Sequence, residues 1–356
     1  MKPQLIIDID KLTYNASYLA DLCSRYGISI AAVTKVFCAH PTMVNALSAL
    51  PIAYFADSRV ENIMSYVSGL SQKSMLLRLP APSQAKRVVD NCDISLNSEI
   101  HTLQKLAQAA ADSGKTHGVI IMLDMGDLRE GIYHNNATKI YQTVEYVMSQ
   151  SSLVLEGFGT NLTCYGSVLP SNDNMGKLCH IAHGIRQKYS VAAPIISGGN
   201  SSSLNMLAAV ELPRDINNLR LGEAIVCGKE TAQGEAFGQL EQDVVTLEAE
   251  IIEIAEKPSY PEGEININAF GEKMTYVDKG IHKRAILAIG RQDVSQEGLI
   301  PVMDNIEIIG ASSDHLMIDI SNAPVPLAVG DSLSFSLSYG AILSCFTSKY
   351  VSKKFI

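Results

Sequence analysis

The chain has 356 residues, of which 47% are hydrophobic and 18% charged, and its formal charge is −9. This length predicts about two domains with ample chain for a core, and the acidic balance argues against nucleic acid or an anionic membrane as partner, because both recruit basic surfaces. The apolar stretch near the N-terminus is too short for a signal peptide or a membrane span, and seven scattered cysteines show no metal-ligand spacing, so we expect a cytoplasmic protein, without a bound metal, that acts on small molecules.

Ile6 to Ile9 read as a strand, with Asp10 as cap of a helix whose apolar stripe (Leu12, Ala16, Leu19, Leu22, Cys23) stops at Gly27. Strand-like runs follow at 28–34, 52–56, 75–79, 92–96, 118–124, 153–158, 194–198 and 218–222, separated by helical patterns. Eight strands alternating with helices over roughly 200 residues match a (β/α)8 barrel, with an open doubly wound sheet as the alternative. After about residue 230 the helices stop. Val244 to Ile254, Arg284 to Ile289, Ile306 to Ile309, Leu316 to Ile320 and Leu333 to Leu337 are strand-like and divided by turn residues. The expected fold is therefore α/β: a TIM-like barrel over 10–230, then an all-β domain over 231–356 that the N-terminal strand, within 1–9, joins.

The chemical groups fall at the ends of the expected barrel strands, where such barrels carry their chemistry. Lys35 ends the first of them, just before Pro41 opens a helix. A lysine there is placed to attack an aldehyde and hold it as a Schiff base; the bland alternative is a lysine that snorkels to the rim or pairs with a carboxylate. The seventh strand ends in Ser197-Gly-Gly-Asn-Ser-Ser-Ser203 and the eighth in Arg220-Leu-Gly-Glu223. Glycines admit an anion close to the backbone, hydroxyls donate to it, and helix starts add positive dipole ends. Coincidence with the loops after strands seven and eight favours a phosphate cradle over a plain serine-rich turn. Lysine and cradle together fit a phosphorylated aldehyde such as pyridoxal 5'-phosphate, although a phosphosugar aldolase fits as well.

Ala32-Val-Thr-Lys-Val36, Asn200-Ser201, Arg220-Leu-Gly-Glu223 and Tyr339-Gly-Ala-Ile-Leu343, in a barrel followed by a β domain, resemble the alanine racemase family of fold-type III pyridoxal phosphate enzymes. Phe55-Ala-Asp-Ser-Arg59, Gly126-Asp-Leu-Arg-Glu-Gly131, Asn161-Leu-Thr-Cys-Tyr-Gly166 and Ala285-Ile-Leu-Ala-Ile-Gly-Arg-Gln-Asp293 look like its ornithine racemase branch. The resemblance covers essentially the whole chain. It implies that Lys35 carries the cofactor and moves one proton. Asn200, Ser201, the amides near Gly222 and Glu223, and the Tyr339 hydroxyl would hold the phosphate, and Arg220 would face the pyridine nitrogen. It also implies that Arg129, after Asp124, receives the substrate carboxylate, and that the active form is a homodimer in which one subunit's β domain completes the other's site.

The chain departs from the family in places. Met122 stands where alanine racemases often have a modified lysine supporting the arginine, and Ala39 where an aromatic hydroxyl is common, which leaves His40 and Cys38 as wall residues. The nearest local match to the family's second base has Phe270, which cannot transfer a proton, so Tyr276 and Asp314 are the second-face candidates. An ornithine δ-ammonium needs an acceptor in a partly dry pocket; Asp314, Asp293 and Asp57 are the acids considered. The expected activity is interconversion of L- and D-ornithine. The alternatives are a racemase of lysine, arginine or another amino acid, a non-catalytic pyridoxal phosphate carrier and, last, a decarboxylase.

Overall fold

A computed structural model of the protein describes residues 3–356. They divide into two units: Ile9–Gln242, and residues 3–8 with Asp243–Ile356.

The first unit is built on parallel strands. β1 (Gln4–Ile7) belongs to the other unit. The barrel begins with β2 (Ser29–Val33) and continues through β3 (Tyr54–Asp57), β4 (Lys73–Leu76), β5 (Ile94–Asn97), β6 (His117–Asp124), the two-residue β7 (Ile132–Tyr133), β8 (Leu153–Gly159), β9 (Ile195–Ser197) and β10 (Asn218–Leu221). Neighbours run β5-β4-β3-β2-β10-β9-β8-β6, and β5 also pairs with β6. That pairing closes eight parallel strands into a barrel and excludes the open sheet; β7 lies outside the ring, against the end of β6. All eight runs expected from the sequence are strands, with ends displaced by a few residues. Ala31, Ala56, Met75, Ile94, Leu96, Ile120, Met122 and Ile195 pack together as the buried core of this unit. Short alanines beside long methionines fill the interior of a closed barrel, so it is packed rather than hollow.

Helix α1 (Ile9–Ser24) buries Leu12, Ala16, Leu19 and Cys23 as its periodicity demands. Asp10 lies inside its first turn rather than at its cap, because β1 ends at Ile7 and the amide of Asp8 still bonds to the carbonyl of Val244, just before β11. Pro41 is the first residue of α2 (Pro41–Ser48), as its missing N–H favours. Residues 231–242, expected with the β domain, group with the barrel. The side chain of Asn15 holds them there, accepting from the amide of Glu241 and donating to its carbonyl, both at 2.8 Å.

The second unit is a sheet ordered β13-β16-β11-β12-β15-β14, where β11 is Val245–Pro258, β12 Ile281–Leu287, β13 Leu299–Pro301, β14 Glu307–Ala311, β15 Leu316–Asp319 and β16 Ser332–Leu337. A register shift near Ile251 splits β11, so that its first half pairs with β16 and its second with β12. β1 joins this sheet antiparallel to β11 and parallel to β17 (Ser352–Phe355). The unit is not purely β. Tyr339–Thr347 form a helix that the sequence reading did not expect, capped by Ser338, whose Oγ accepts from the amide of Ala341 at 3.3 Å.

Candidate active site

Register in the barrel brings the expected groups to one arc of the rim. β2 and β10 are adjacent, with Arg220 opposite Ala31 and Leu221 opposite Ala32, and β9 lies on the other side of β10. The ends of these three strands carry Lys35, the turn at Gly222 and the run 197–203.

Lys35 is partly buried and opens a single 3-10 turn, Lys35–Phe37, directly after β2. Cys38 and Ala39 follow with φ of 48° and 53°, left-handed values that non-glycine residues seldom adopt. The buried Val36, Phe37 and Ala39 hold the turn in place. Thr34, just before the lysine, is fixed by its amide to the carbonyl of Ala56 at 2.8 Å and by its hydroxyl to the carboxylate of Asp57 at 2.6 Å. Asp57 is wholly buried and also accepts from the amide of Arg59 at 2.8 Å and from Asn62 Nδ2, which lies 3.1 Å from each oxygen. Burial raises its pKa above the ordinary carboxylate value. A carboxylate so saturated does not serve as a substrate acceptor, and Asp57 is withdrawn from that role.

Across from the lysine turn, a Cβ on Gly222 would lie 2.9 Å from Cβ of Val33, so glycine is what lets this turn close against β2. Helix α3 (Glu223–Cys227) starts there, and Ser201 Oγ accepts from the amide of Ala224 at 3.2 Å, joining the two loops of the cradle. Gly199 has a φ of 99°, and a Cβ on Gly198 would meet Ile216 at 2.5 Å. Asn200 organises the turn: its Oδ1 accepts from the amide of Ser202 at 2.8 Å and its Nδ2 donates to the carbonyl of Leu162 at 3.1 Å. The hydroxyls of Ser202 and Thr160 and the amide nitrogen of Asn161 are buried without a hydrogen-bond partner. Buried polar groups of this kind are met by a ligand or by ordered water.

Arg220 is 4% exposed. It donates to Ser197 Oγ and, at 2.7 Å, to the carbonyl of Thr160, not to Glu223. Burial pulls its guanidinium down to about 10, against the field of Glu130, which raises it; it stays charged at neutral pH. Glu223 is raised by burial, with Lys35 opposing as the strongest charge effect.

Beyond β6 the chain turns sharply. Asp124 Oδ1 accepts from the amides of Gly126 and Leu128 at 2.9 and 3.1 Å, and Gly131, with φ of 122°, returns so closely that a Cβ would lie 2.6 Å from the amide nitrogen of Asp124. The carboxylate of Asp127 takes the amides of Cys164, Tyr165 and Val168 at 3.0–3.2 Å and so fastens this loop to the one after β8. Arg129 stands on this scaffold paired with Glu130 through both Nε and Nη2. Met122 is fully buried in the barrel core, so the support that Arg129 has here is Glu130.

The remaining expected residues lie in the other unit. Tyr339 is the first residue of the 339–347 helix. Tyr276 packs edge-on against Tyr260 at 6.3 Å between ring centres. Asp314 is exposed and accepts from Gln292 at 2.6 Å and Ser313 at 2.9 Å. Asp293 accepts from Ser348 at 2.6 Å. Phe270 stacks under Arg291, with 4.5 Å from the guanidinium carbon to the ring centre. The sequence reading gave no role to Thr160, Asn161, Ser202 or Glu130. All four lie within or beside motifs it had quoted, and what they lacked was a spatial partner.

Residues 7–229 match the family model for the alanine racemase N-terminal domain. The chain is 45% identical to the ornithine racemase of Acetoanaerobium sticklandii over 356 residues, spanning both chains fully. It is 35% identical to the lysine racemase of Thermotoga maritima over 352 residues, 99% of this chain and 98% of that one. Among solved structures, an alanine racemase from Streptomyces lavendulae aligns with a TM-score of 0.77 at 16% identity, covering 100% and 98% of the two chains. One from Clostridium difficile aligns at 0.75 and 16%, covering 100% and 96%.

Proposed function

This chain belongs to the alanine racemase family, and we propose that it is a pyridoxal-phosphate-dependent racemase that interconverts L- and D-ornithine by removing and returning the Cα proton. The observation that carries the reading is the arc β2-β10-β9, which sets a strand-end lysine beside a glycine-serine cradle, in a chain alike over its whole length to an ornithine racemase. The similarity to a lysine racemase favours substrates with a distal amine.

The residues present fit the cofactor. The orphaned Ser202 and Thr160 hydroxyls and Asn161 amide supply unused polar groups beside the cradle, and Arg220 adds a fixed buried cation. In this reading Lys35 holds the cofactor covalently and is one of the two proton-transfer groups. Asn200, Ser201, the amides at Gly222 and Glu223, and the hydroxyl of Tyr339 hold its phosphate. When bound, pyridoxal phosphate withdraws electrons from the substrate and acidifies its Cα–H. Arg220 opposes protonation of the ring nitrogen, which limits that withdrawal and favours simple return of the proton over side reactions. Arg129 receives the α-carboxylate, a geometry suited to its planar fork.

The second face belongs to Tyr276 and Asp314 of a partner subunit in a homodimer. The β unit leaves Ile267, Val277, Ile281, Ile300 and Val302 exposed, apolar surface that an association of subunits would cover. Among the described residues no helix is long and apolar enough to cross a membrane, and no cluster of residues could hold a metal ion; the proposed setting is the cytoplasm.

The test uses protein loaded with pyridoxal phosphate and L-ornithine in D2O, followed by chiral chromatography and the Cα proton signal. D-ornithine carrying deuterium at Cα is expected, together with loss of the cofactor's visible absorbance in Lys35→Ala. A normal absorbance in that variant, or no exchange with any amino acid in the unmodified protein, would overturn the proposal.

A further inference from the structure

Seven acids stand at or just beyond the strand ends of the barrel rim, and most are already committed; Glu99, beyond β5, pairs with Lys139 at 2.7 Å. Asp57 is saturated by Thr34, Arg59 and Asn62. Asp124 and Asp127 accept backbone amides that shape their loops, and Glu230, 1% exposed, takes the amides of Ala232, Gln233 and Glu235. Two remain. Glu223 lies in the first turn of α3, under the charges of Lys35 and Lys229. Glu130 binds only the side chain of Arg129, with 2.5 Å from Nη2 to Oε1 and a second bond from Nε. Its side chain is 17% exposed and that of Arg129 42%.

The pairing constrains what Arg129 can do. Glu130 takes its Nε and Nη2, so a substrate α-carboxylate either binds the remaining Nη1–Nη2 edge, which sets two carboxylates on one cation, or displaces Glu130. Either way the mostly buried Glu130 loses part or all of its cation, which is costly. The nearby Arg220 makes no hydrogen bond to Glu130 and is directed instead to Ser197 and the carbonyl of Thr160. A monoamino acid brings no remedy. A diamino acid does, because its carboxylate takes Arg129 while its distal ammonium takes Glu130, so that neither side chain is left without a partner. The adjoining backbone cannot drift to relieve the strain in another way, since Asp127 ties the loop on one side and Gly131 packs against Asp124 on the other.

We propose that Glu130 is the specificity residue for a distal ammonium, and that exchange of partners by the Arg129–Glu130 pair selects diamino acids over monoamino acids. The inference deepens the racemase reading and rests on Arg129 binding the substrate carboxylate. Loss of a charge-assisted contact of this kind changes binding by about tenfold to a hundredfold.

The experiment compares ornithine with norvaline, which has the same carbon chain and no distal amine. Values of kcat/KM are measured for the loaded wild type, Glu130→Gln, Glu130→Asp and Glu223→Gln, alongside thermal stabilisation by each amino acid. The expected result is that the ornithine-to-norvaline ratio falls at least tenfold in Glu130→Gln, mainly through KM for ornithine, and is largely kept in Glu130→Asp. Stabilisation by ornithine should fall with it. Equal losses for both amino acids would mean that Glu130 only steadies Arg129, and a fall confined to Glu223→Gln would move the role there; either overturns the proposal. Should the wild type racemise neither amino acid, the racemase reading fails on its own, and the stabilisation ratio still decides whether Glu130 reads the ammonium.

Discussion

Replacing Asp57 with alanine removes the carboxylate that accepts from the Thr34 hydroxyl, and with it a fastening of the turn presenting Lys35. Three donors lose their acceptor: the Thr34 hydroxyl at 2.6 Å, the Arg59 amide at 2.8 Å and the Asn62 amide group at 3.1 Å. A stranded buried donor costs about 1–3 kcal/mol. Thr34 can fall back on the carbonyl of Ala56, already 3.3 Å away, and the Asn62 and Arg59 groups, in only partly buried bonds, regain water. Removing a carboxylate whose pKa is raised by burial offsets part of the loss. The net expectation is about 3 kcal/mol, a fall in melting temperature of roughly 6–12 °C for a domain of this size. Asparagine keeps the shape and should cost much less, because the Thr34 oxygen can accept where it now donates and Asn62 can flip. The comparison also has a sign in pH. A raised folded pKa gives stability that is present below the unfolded value and lost as pH rises through the folded one. The wild type should therefore gain on Asp57→Asn as pH falls from 7 into the carboxylate range. Thermal unfolding of the three proteins, with the visible absorbance of the loaded forms, reads all of this. An alanine variant melting within about 2 °C of wild type, or an asparagine variant as damaged as alanine, would refute the anchoring argument.

Gly131→Ala should destabilise the barrel by about 3 kcal/mol or more, since its φ of 122° and the 2.6 Å approach to Asp124 leave backbone, not a side chain, to yield; a melting temperature equal to that of wild type would contradict the packing of this turn. His117 is 1% exposed, with Nε2 at 2.7 Å from Ser95 Oγ, and burial pushes its pKa down to about 4. The unfolded chain therefore takes the proton first, and stability present above about pH 6.5 is lost as pH falls towards about 4, in all about 3 kcal/mol. His117→Gln should flatten this slope in unfolding curves measured across that range, and an unchanged slope would show that other groups cause it.

The architecture was legible because it rests on patterns that local sequence carries. Eight apolar runs separated by helical periodicity leave few arrangements, the barrel and the open doubly wound sheet, and the pairing of β5 with β6 decides between them. Tyr339–Thr347 escaped because its apolar residues read as a continuation of the strand-rich segment before it, and the cap that starts the helix, Ser338, is a single residue. The reactive arc was legible for a similar reason: lysine, glycine run and arginine each sit at the end of a recognisable strand, and closure of the barrel then makes those ends neighbours.

The acids were not legible. Asp57, Asp124, Asp127, Glu130 and Glu230 are alike in a sequence, and what separates them is which donors the fold turns towards each. Asp57 was weighed as a substrate contact, yet the local turn 57–62 consumes both of its oxygens. Glu130 stood only inside a quoted motif and is the one whose partner has another claim on it. The difference is energetic rather than compositional. A carboxylate bonded to backbone amides cannot exchange them without unfolding its loop, whereas one bonded to a mobile guanidinium can change partner at nearly constant electrostatic energy if a second cation arrives. Specificity in such a rim is therefore set by the acid left over after the backbone has been satisfied, and finding it requires the hydrogen bonds of the folded chain.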